Sequence, residues 1–133
     1  MNSETLLARH NVDVAHTRHV ADLSLKLFDA VQDNFDLPDK ARNLMQIGAL
    51  LHDVGLNENP SQHHIVGRDI VLSNHLAGLD EDQRSIVACM VAFHRKKVRP
   101  DAEPSYLRLG KKQRRIALHL ASLLRIADGL DYS

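Results

Sequence analysis

The amino-acid sequence predicts an all-α fold: a single-domain helical bundle of about six helices. Apolar residues recur at three- and four-residue steps in several long segments, and no segment alternates apolar and polar residues as a half-buried strand does. Prolines and capping residues stand at the ends of these segments. The 133 residues are 44% hydrophobic, which suits one domain with a sizeable core. We therefore interpret residues 1–133 as one domain.

The first two long helices are marked by apolar stripes. We expect the first from about residue 11 to residue 33, and the second from the Leu37-Pro38-Asp39 turn to Val54, because proline suits a first helical turn. Gly55 stands where a C′ glycine would end the second helix. The expected stripes are Val12, His16, Val20, Leu23, Leu27 and Ala30 in the first helix, and Leu44, Gly48 and Leu51 in the second.

Three further helices are expected after these two. A short one is expected over 62–73, after a loop at 57–61. Asp80, with Gln83 three residues later, predicts a capping box that opens a helix to about Arg95. Pro100 and Pro104 indicate a longer loop. The last helix is expected over 111–128, with one side formed by Ala117, Ala121, Leu124 and Asp128.

Composition excludes several classes of protein. The formal net charge is zero, which argues against a general nucleic-acid binder. The single cysteine, Cys89, excludes an internal disulfide framework and a Cys-rich zinc site. No apolar run approaches the ~20 residues of a membrane span, and the N-terminus lacks the layout of a signal peptide. The expected location is the cytoplasm.

Charge is distributed unevenly along the chain. Residues 1–83 carry 6 basic and 13 acidic side chains, whereas residues 84–133 carry 11 basic and 4 acidic ones. Two explanations stay open: the halves attract each other within one fold, or the basic half forms a face for a phosphate-bearing ligand.

Histidine is the most unusual feature of the composition, with nine residues scattered along the chain. His52-Asp53 ends an apolar helix, where a buried carboxylate needs a cationic partner. His16 occupies a core-facing position of the first helix, and Asp128 lies on the small, apolar face of the last one. Because helical bundles build metal sites from side chains on facing helices, these residues predict a metal centre.

The order His16, His52-Asp53, Asp128 resembles the signature of the HD superfamily of metal-dependent phosphohydrolases. Within it, the likeness is closest to the C-terminal HD-type domain of the exopolyphosphatase/guanosine-pentaphosphate phosphatase family. In that family a large actin-like domain performs catalysis, and this sequence contains none of it. The strings that carry the resemblance are 16–21 (HTRHVA), 50–56 (LLHDVGL), 93–96 (FHRK) and 122–131 (SLLRIADGLD).

The resemblance implies a centre with two metal ions. His63 matches a further ligand position, with His64 as the alternative if the register slips by one, and His94 matches the next. One ion would take His16, His52, Asp53 and Asp128; the other would share Asp53 and take His63 and His94. A shell of imidazoles and carboxylates suits Mn, Fe, Co or Ni better than structural zinc, and Mg less well. His52 and Asp53 are the expected catalytic residues, holding the metals that generate a hydroxide for attack on phosphorus.

Several cations are candidates for binding substrate phosphate, each with a solvated surface charge as the alternative. Arginine suits phosphate because its planar fork binds two oxygens at once. Tyr106, in the proline-containing loop, is the aromatic residue expected to touch a ligand. The candidates are Arg18, His64, Arg95, Lys96, Lys97 and Arg125.

The leading prediction is a metal-dependent phosphohydrolase acting on a nucleotide, polyphosphate or other phosphoester. The alternatives are a non-catalytic HD module that binds polyphosphate or a guanosine alarmone, and a di-iron oxygenase on the same scaffold. A phosphate-containing small molecule or polyphosphate is the expected partner, without general nucleic-acid or membrane binding. A homodimer, and a chain that is one piece of a larger protein, both stay open.

Overall fold

The computed structural model describes residues 1–131, and over them the predicted all-α class is confirmed. This part of the chain forms seven α-helices and one 3₁₀ turn, with no strand. The last two residues of the predicted 1–133 domain lie outside the described range. The helices are α1 (Ser3–Arg9), α2 (Val14–Val31), α3 (Ala41–Leu51), α4 (His63–Ser73), α5 (Glu81–Phe93), α6 (Pro104–Leu107) and α7 (Lys111–Asp131), with the 3₁₀ turn at Pro100–Ala102.

Helix α5 is the centre of the bundle. Every residue from Ser85 to Phe93 is buried, so this helix is covered on all sides rather than along one stripe. Helices α3, α4, α6 and α7 pack against it, and α2 packs against α3 and α7. The central position of α5 explains its run of apolar and small residues, since a helix that is apolar all round belongs in a core.

The outer helices bury one face each. In α2 the fully buried residues are Thr17, Val20, Ala21, Ser24 and Phe28. Of the expected stripe, Val20 is buried, and Val12, Leu23 and Leu27 are partly buried and pack against the core, whereas Ala30 is exposed. The predicted core positions Leu44, Gly48 and Leu51 of α3 are buried, as are Ala117, Ala121 and Leu124 of α7. Polar Thr17 and Ser24 are buried, which hydropathy alone does not predict.

Local sequence signals predict the start of α5 well, but Pro38 lies before α3, which begins at Ala41, and one helix end is predicted badly. Asp80 and Gln83 form the predicted capping box at the start of α5. Helix α1, which the sequence analysis did not include, begins after Asn2, whose side chain accepts a hydrogen bond from the Thr5 N–H. The prediction of Gly55 as a C′ glycine is wrong: α3 ends at Leu51, and φ of Gly55 is not in the left-handed region.

Among residues 1–131 no helix has both the length and the apolar character needed to cross a bilayer.

Candidate metal centre

The structure brings together six side chains that lie far apart in the sequence. Their positions follow from the packing of the bundle: each is at a helix end or on a helix face that is directed at the same place beside α5. They are His16 in the first turn of α2, His52 and Asp53 directly after α3, His63 at the start of α4, His94 after the last residue of α5, and Asp128 in α7.

Four of these side chains form one group. His16 Nε2 lies 3.4 Å from Asp53 Oδ2 and 3.3 Å from Asp128 Oδ1. His52 Nε2 lies 3.4 Å from each of the same two oxygens. The ligand atoms of His16, His52 and Asp53 all lie within 4.8 Å of one another. Asp128 is outside that set of three, but its Oδ1 faces the same two imidazole nitrogens.

Three side chains form a second group next to the first. His63 Nε2 is 3.1 Å from Asp53 Oδ1 and 3.0 Å from His94 Nε2. His94 Nε2 is 3.7 Å from the same Asp53 oxygen. Asp53 belongs to both groups, directing Oδ2 to the first and Oδ1 to the second. This division of one carboxylate between two groups is the geometry of a bridging ligand.

The orientation of two rings is fixed by backbone carbonyls. His52 Nδ1 is 2.6 Å from the Ala49 carbonyl oxygen, and His94 Nδ1 is 2.6 Å from that of Val91. Each Nδ1–H donates to its carbonyl, so in the neutral ring the lone pair is on Nε2, which faces the group. Metal-ligating histidines commonly donate their other ring N–H in this way.

Two atoms of the first group are buried without a hydrogen-bond partner among the described residues: His52 Nε2 and Asp128 Oδ1. A buried polar atom that lacks a partner is costly, and a cation between the two would satisfy both. With bonds of about 2.1 Å, ligand atoms are spaced by roughly 3.0 Å at an octahedral edge and roughly 3.4 Å at a tetrahedral one. The spacings observed here fall close to that range, so the residues fit a divalent cation.

The pKa values of the group reflect its mixture of charges. Burial opposes ionisation of Asp53, but the imidazoles of His63, His94 and His52 outweigh it and hold the pKa of this carboxyl far below its usual range. The pKa of Asp128 is lowered because His52 outweighs the burial that would raise it. Burial of His52 is likewise outweighed by Asp128 and Asp53, which raise its pKa. Both carboxylates are thus ionised near neutral pH, as cation ligands must be.

Asp131 is a functional candidate that the sequence analysis did not single out. Its carboxylate accepts a hydrogen bond from Nδ1 of His16 and another from Nδ1 of His19. The hydrogen bond with His19, more than that with His16, lowers the pKa of Asp131. The contact orients the His16 ring so that Nε2 faces Asp53 and Asp128. The available signal was the spacing from Asp128, since residues three apart on a helix are neighbours.

His63 and His64 have different surroundings. The Nε2 atom of His63 belongs to the second group, whereas that of His64 does not. His64 Nδ1 is buried and has no hydrogen-bond partner in the described part of the chain. Burial, and then the positive charges of His94, Lys96 and Arg95, lower the pKa of His64 to about 4. Of the two alternatives for the ligand position, the geometry favours His63.

The candidate phosphate-binding cations are only partly gathered at the site. Arg95 Nη1 donates to the Pro60 carbonyl at 3.1 Å and to His63 Nδ1 at 2.7 Å. Lys96 Nζ donates to the Ser61 carbonyl at 2.5 Å, and Lys97 is exposed nearby in sequence. These contacts place Arg95 and Lys96 beside the start of α4.

The other candidates have contacts elsewhere. Arg125 donates to the carbonyls of Phe93 and Lys96 at 3.0 and 2.8 Å, which supports the chain after α5. Arg18 is exposed and contacts Glu4 of α1, so the structure does not bring it to the two groups. Tyr106 lies against Phe93, with Arg114 over its ring.

Comparison with known protein families gives one match that spans nearly the whole chain. The family described as Ppx/GppA phosphatase, domain III, matches residues 2–132. The matched segment contains every residue of the two groups, together with Asp131.

Proposed function

We propose that this chain, which belongs to the Ppx/GppA phosphatase domain III family, is itself a metal-dependent phosphohydrolase of the HD type. Its substrate would be a phosphoester or phosphoanhydride of nucleotide or polyphosphate character. The family name relates the chain to phosphatases, but a match to domain III does not by itself establish an activity. The proposal therefore depends on the site.

The observation that carries the proposal is the position of Asp53. Its two oxygens face two separate groups of ligand atoms, and both groups are buried at the same junction of helices. A structural ion pair or a helix cap needs only one such group. Six side chains in this arrangement fit the binding of cations better than either of those roles.

We assign His16, His52, Asp53 and Asp128 to a first divalent ion, and Asp53, His63 and His94 to a second. Nitrogen and oxygen ligands without thiolate favour Mn, Fe, Co or Ni over structural zinc, and over Mg. Such ions lower the pKa of a coordinated water toward neutrality and offset negative charge on a phosphoryl group. The resulting nucleophile requires no serine or cysteine.

The chain's own residues would orient the substrate from one side. Four candidate residues lie close, in sequence or in space, to the start of α4 and next to the second group: His64, Arg95, Lys96 and Lys97. Within residues 1–131 no carboxylate pairs with Arg95 or Lys96, whose hydrogen bonds go to backbone carbonyls and to His63. A phosphate group there would gain charged partners that the folded chain leaves available.

The second candidate function is a non-catalytic module that binds polyphosphate or an alarmone. Arg95 and Lys96, which have no carboxylate partner among residues 1–131, favour this binding function. The family description also favours it, because it names one domain of a phosphatase. It does not account for the orphaned buried atoms His52 Nε2 and Asp128 Oδ1.

Metal content and hydrolysis measured on one preparation distinguish the two functions. We expect the purified chain to retain divalent metal and to hydrolyse a generic phosphoester, a nucleotide or polyphosphate. His52→Ala and Asp53→Ala should each abolish turnover, and His63→Ala should lower the metal content measured in the presence of phosphate. His75→Ala is the matched control, because His75 is exposed and outside both groups. Phosphate binding by a chain that holds no metal would refute the hydrolase and support the binding module.

A further inference from the structure

The two groups of ligand atoms differ in how well they are satisfied without metal. The first contains two buried atoms with no hydrogen-bond partner among residues 1–131, His52 Nε2 and Asp128 Oδ1. In the second group every ring nitrogen has a hydrogen-bonding contact. A cation therefore relieves a deficit in the first group but displaces existing hydrogen bonds in the second.

The hydrogen bonds of the second group form one consistent chain that begins at Arg95. A guanidinium only donates, so the 2.7 Å contact from Arg95 makes His63 Nδ1 an acceptor. A neutral His63 must then carry its proton on Nε2. That proton is directed at His94 Nε2, 3.0 Å away, and at Asp53 Oδ1, 3.1 Å away. His94 Nε2 is free to accept because Nδ1 of that ring donates to the Val91 carbonyl.

This tautomer of His63 cannot bind a metal through Nε2, because that nitrogen carries the proton. Binding requires His63 to lose the Nε2 proton to solvent and to take one up on Nδ1. The acceptor for the new Nδ1–H is already in place, since the Pro60 carbonyl lies 3.1 Å from Nδ1. Arg95 must first withdraw from Nδ1, because a protonated Nδ1 and the guanidinium N–H are both donors and cannot hydrogen-bond to each other.

An anion is the group that would withdraw Arg95. Its present hydrogen bonds go to uncharged acceptors, the Pro60 carbonyl and the His63 ring. Phosphate oxygens bind a guanidinium more strongly than neutral acceptors do, and in a fork geometry. Lys96, on the neighbouring Ser61 carbonyl, adds a second positive charge at the same place.

We propose that the two metal sites fill in order, and that Arg95 couples the second site to binding of a phosphate-bearing ligand. The first group binds its ion without ligand. The second binds its ion well only after a phosphate has drawn Arg95 from His63 and released the metal-binding tautomer. This inference rests on the proposed metal centre and adds its regulation: a substrate completes the site that acts on it.

The tautomer of His63 can be observed in metal-free protein by nitrogen-15 NMR at about pH 9, where a free imidazole is neutral. We expect a proton on Nε2 of His63 in the wild type. Arg95→Met should move it to Nδ1, and Lys96→Met should not. Lys96→Met is the matched control, since it removes an equal charge next to Arg95 but no hydrogen bond to His63. A wild-type His63 with its proton on Nδ1 would overturn the proposal.

Manganese titration tests the order of filling. Electron paramagnetic resonance distinguishes a single Mn²⁺ from a coupled pair. Without phosphate the wild type should bind one Mn²⁺ tightly and the second at least roughly tenfold more weakly, and inorganic phosphate should narrow that gap. In phosphate-free buffer Arg95→Met should tighten the second site by roughly tenfold, and Lys96→Met by about threefold or less.

Equal filling of both sites by the phosphate-free wild type would refute the inference, as would equal effects of the two variants. Its failure differs from failure of the proposed function. A chain that fills its sites in order but hydrolyses nothing supports the coupling and refutes the hydrolase. A chain that hydrolyses a phosphoester but fills its two sites independently supports the hydrolase and refutes the coupling.

Discussion

The backbone of Gly55 lies directly against that of Gly67. A Cβ atom added to Gly55 would be 2.6 Å from the Gly67 nitrogen and 2.6 Å from the carbonyl oxygen of His63. A Cβ on Gly67 would lie 2.8 Å from a methyl group of Val91 in α5. The crossing holds α4 close to the segment that follows Asp53, which is why His63 reaches Asp53 Oδ1.

Gly55→Ala should therefore weaken both the fold and the second metal site. The added methyl group meets backbone atoms, which cannot turn aside as a side chain can, so α4 must shift. Overpacking of this kind costs about 1–3 kcal/mol of unfolding free energy, measured by urea denaturation. Binding of the second Mn²⁺, followed by titration, should weaken with it.

Gly129→Ala provides the control for the Gly55 substitution. A Cβ there has nothing within 4 Å in the described structure, so alanine should leave stability unchanged or raise it by about 0.5–1 kcal/mol. Equal stability and equal second-site binding in Gly55→Ala and the wild type would contradict the importance of the Gly55–Gly67 crossing.

Gly55 also shows where sequence-based prediction fails. A glycine after an apolar helix is locally typical of a C′ residue, but here its small size is needed by a helix that begins eight residues later. Asp131 was missed for a similar reason, because its partners His16 and His19 are more than 100 residues away. The capping box of Asp80 and the core face of α7 were predictable because each depends on neighbours within a few turns.

The candidate site was predictable only in part. The individual histidines and carboxylates stand out in the sequence, and the resemblance implied that Asp53 is shared. Helical periodicity alone does not predict this sharing, because it depends on how α2, α3, α4, α5 and α7 pack. The hydrogen bond from Arg95 to His63 depends on loop geometry that no periodicity encodes. The core-facing side of α2 was predicted only in part, because the fully buried Thr17 and Ser24 are polar.

Asp131→Ala should weaken metal binding at the first group. Without the carboxylate, the His16 ring loses the acceptor that keeps its proton on Nδ1 and Nε2 directed at the site. Loss of such a supporting hydrogen bond typically costs about 10–100-fold in metal affinity, measurable by calorimetric titration with Mn²⁺. The second group, which Asp131 does not contact, should keep its affinity.

Asp101→Ala is the comparison for Asp131→Ala, since Asp101 is exposed in the 3₁₀ turn. It should leave both affinities unchanged. If Asp131→Ala lowered both affinities equally, or neither, its assigned role in orienting His16 would be refuted.

Glu103 should be important for stability rather than chemistry. This carboxylate is 4% exposed, accepts from Arg68 at 2.7 Å, and accepts from the amide and hydroxyl of Ser105 at 3.2 and 2.5 Å. Glu103→Ala leaves Arg68 with the exposed Asp69 as its remaining carboxylate partner. Removing one partner of a buried hydrogen bond costs about 1–3 kcal/mol of unfolding free energy. Urea denaturation measures the loss.

The exposed Glu81 supplies the contrast to Glu103. It lies 3.6 Å from Arg108 with its side chain 81% exposed, so Glu81→Ala should cost less than about 1 kcal/mol. The double variant Arg68→Leu/Glu103→Ala should lose less unfolding free energy than the two single variants lose in sum, because the two side chains interact directly. Equal losses for Glu103→Ala and Glu81→Ala would contradict the assignment.

His119 should make the folded state less stable in mild acid. Its ring stacks on Phe35 with centroids 4.8 Å apart, and burial, assisted by the charge of Arg115, lowers its pKa from the usual value. At pH values between that lowered pKa and about 6.5, the unfolded chain binds a proton at His119 and the folded chain does not. Acidification through this range therefore favours unfolding. His119→Gln should therefore lose less stability than the wild type between about pH 7.5 and about pH 5.5, measured by urea denaturation at each pH. His75→Gln, at an exposed histidine, should lose as much stability on acidification as the wild type does. If His119→Gln lost that much too, the lowered pKa of His119 would not be the cause of the acid sensitivity.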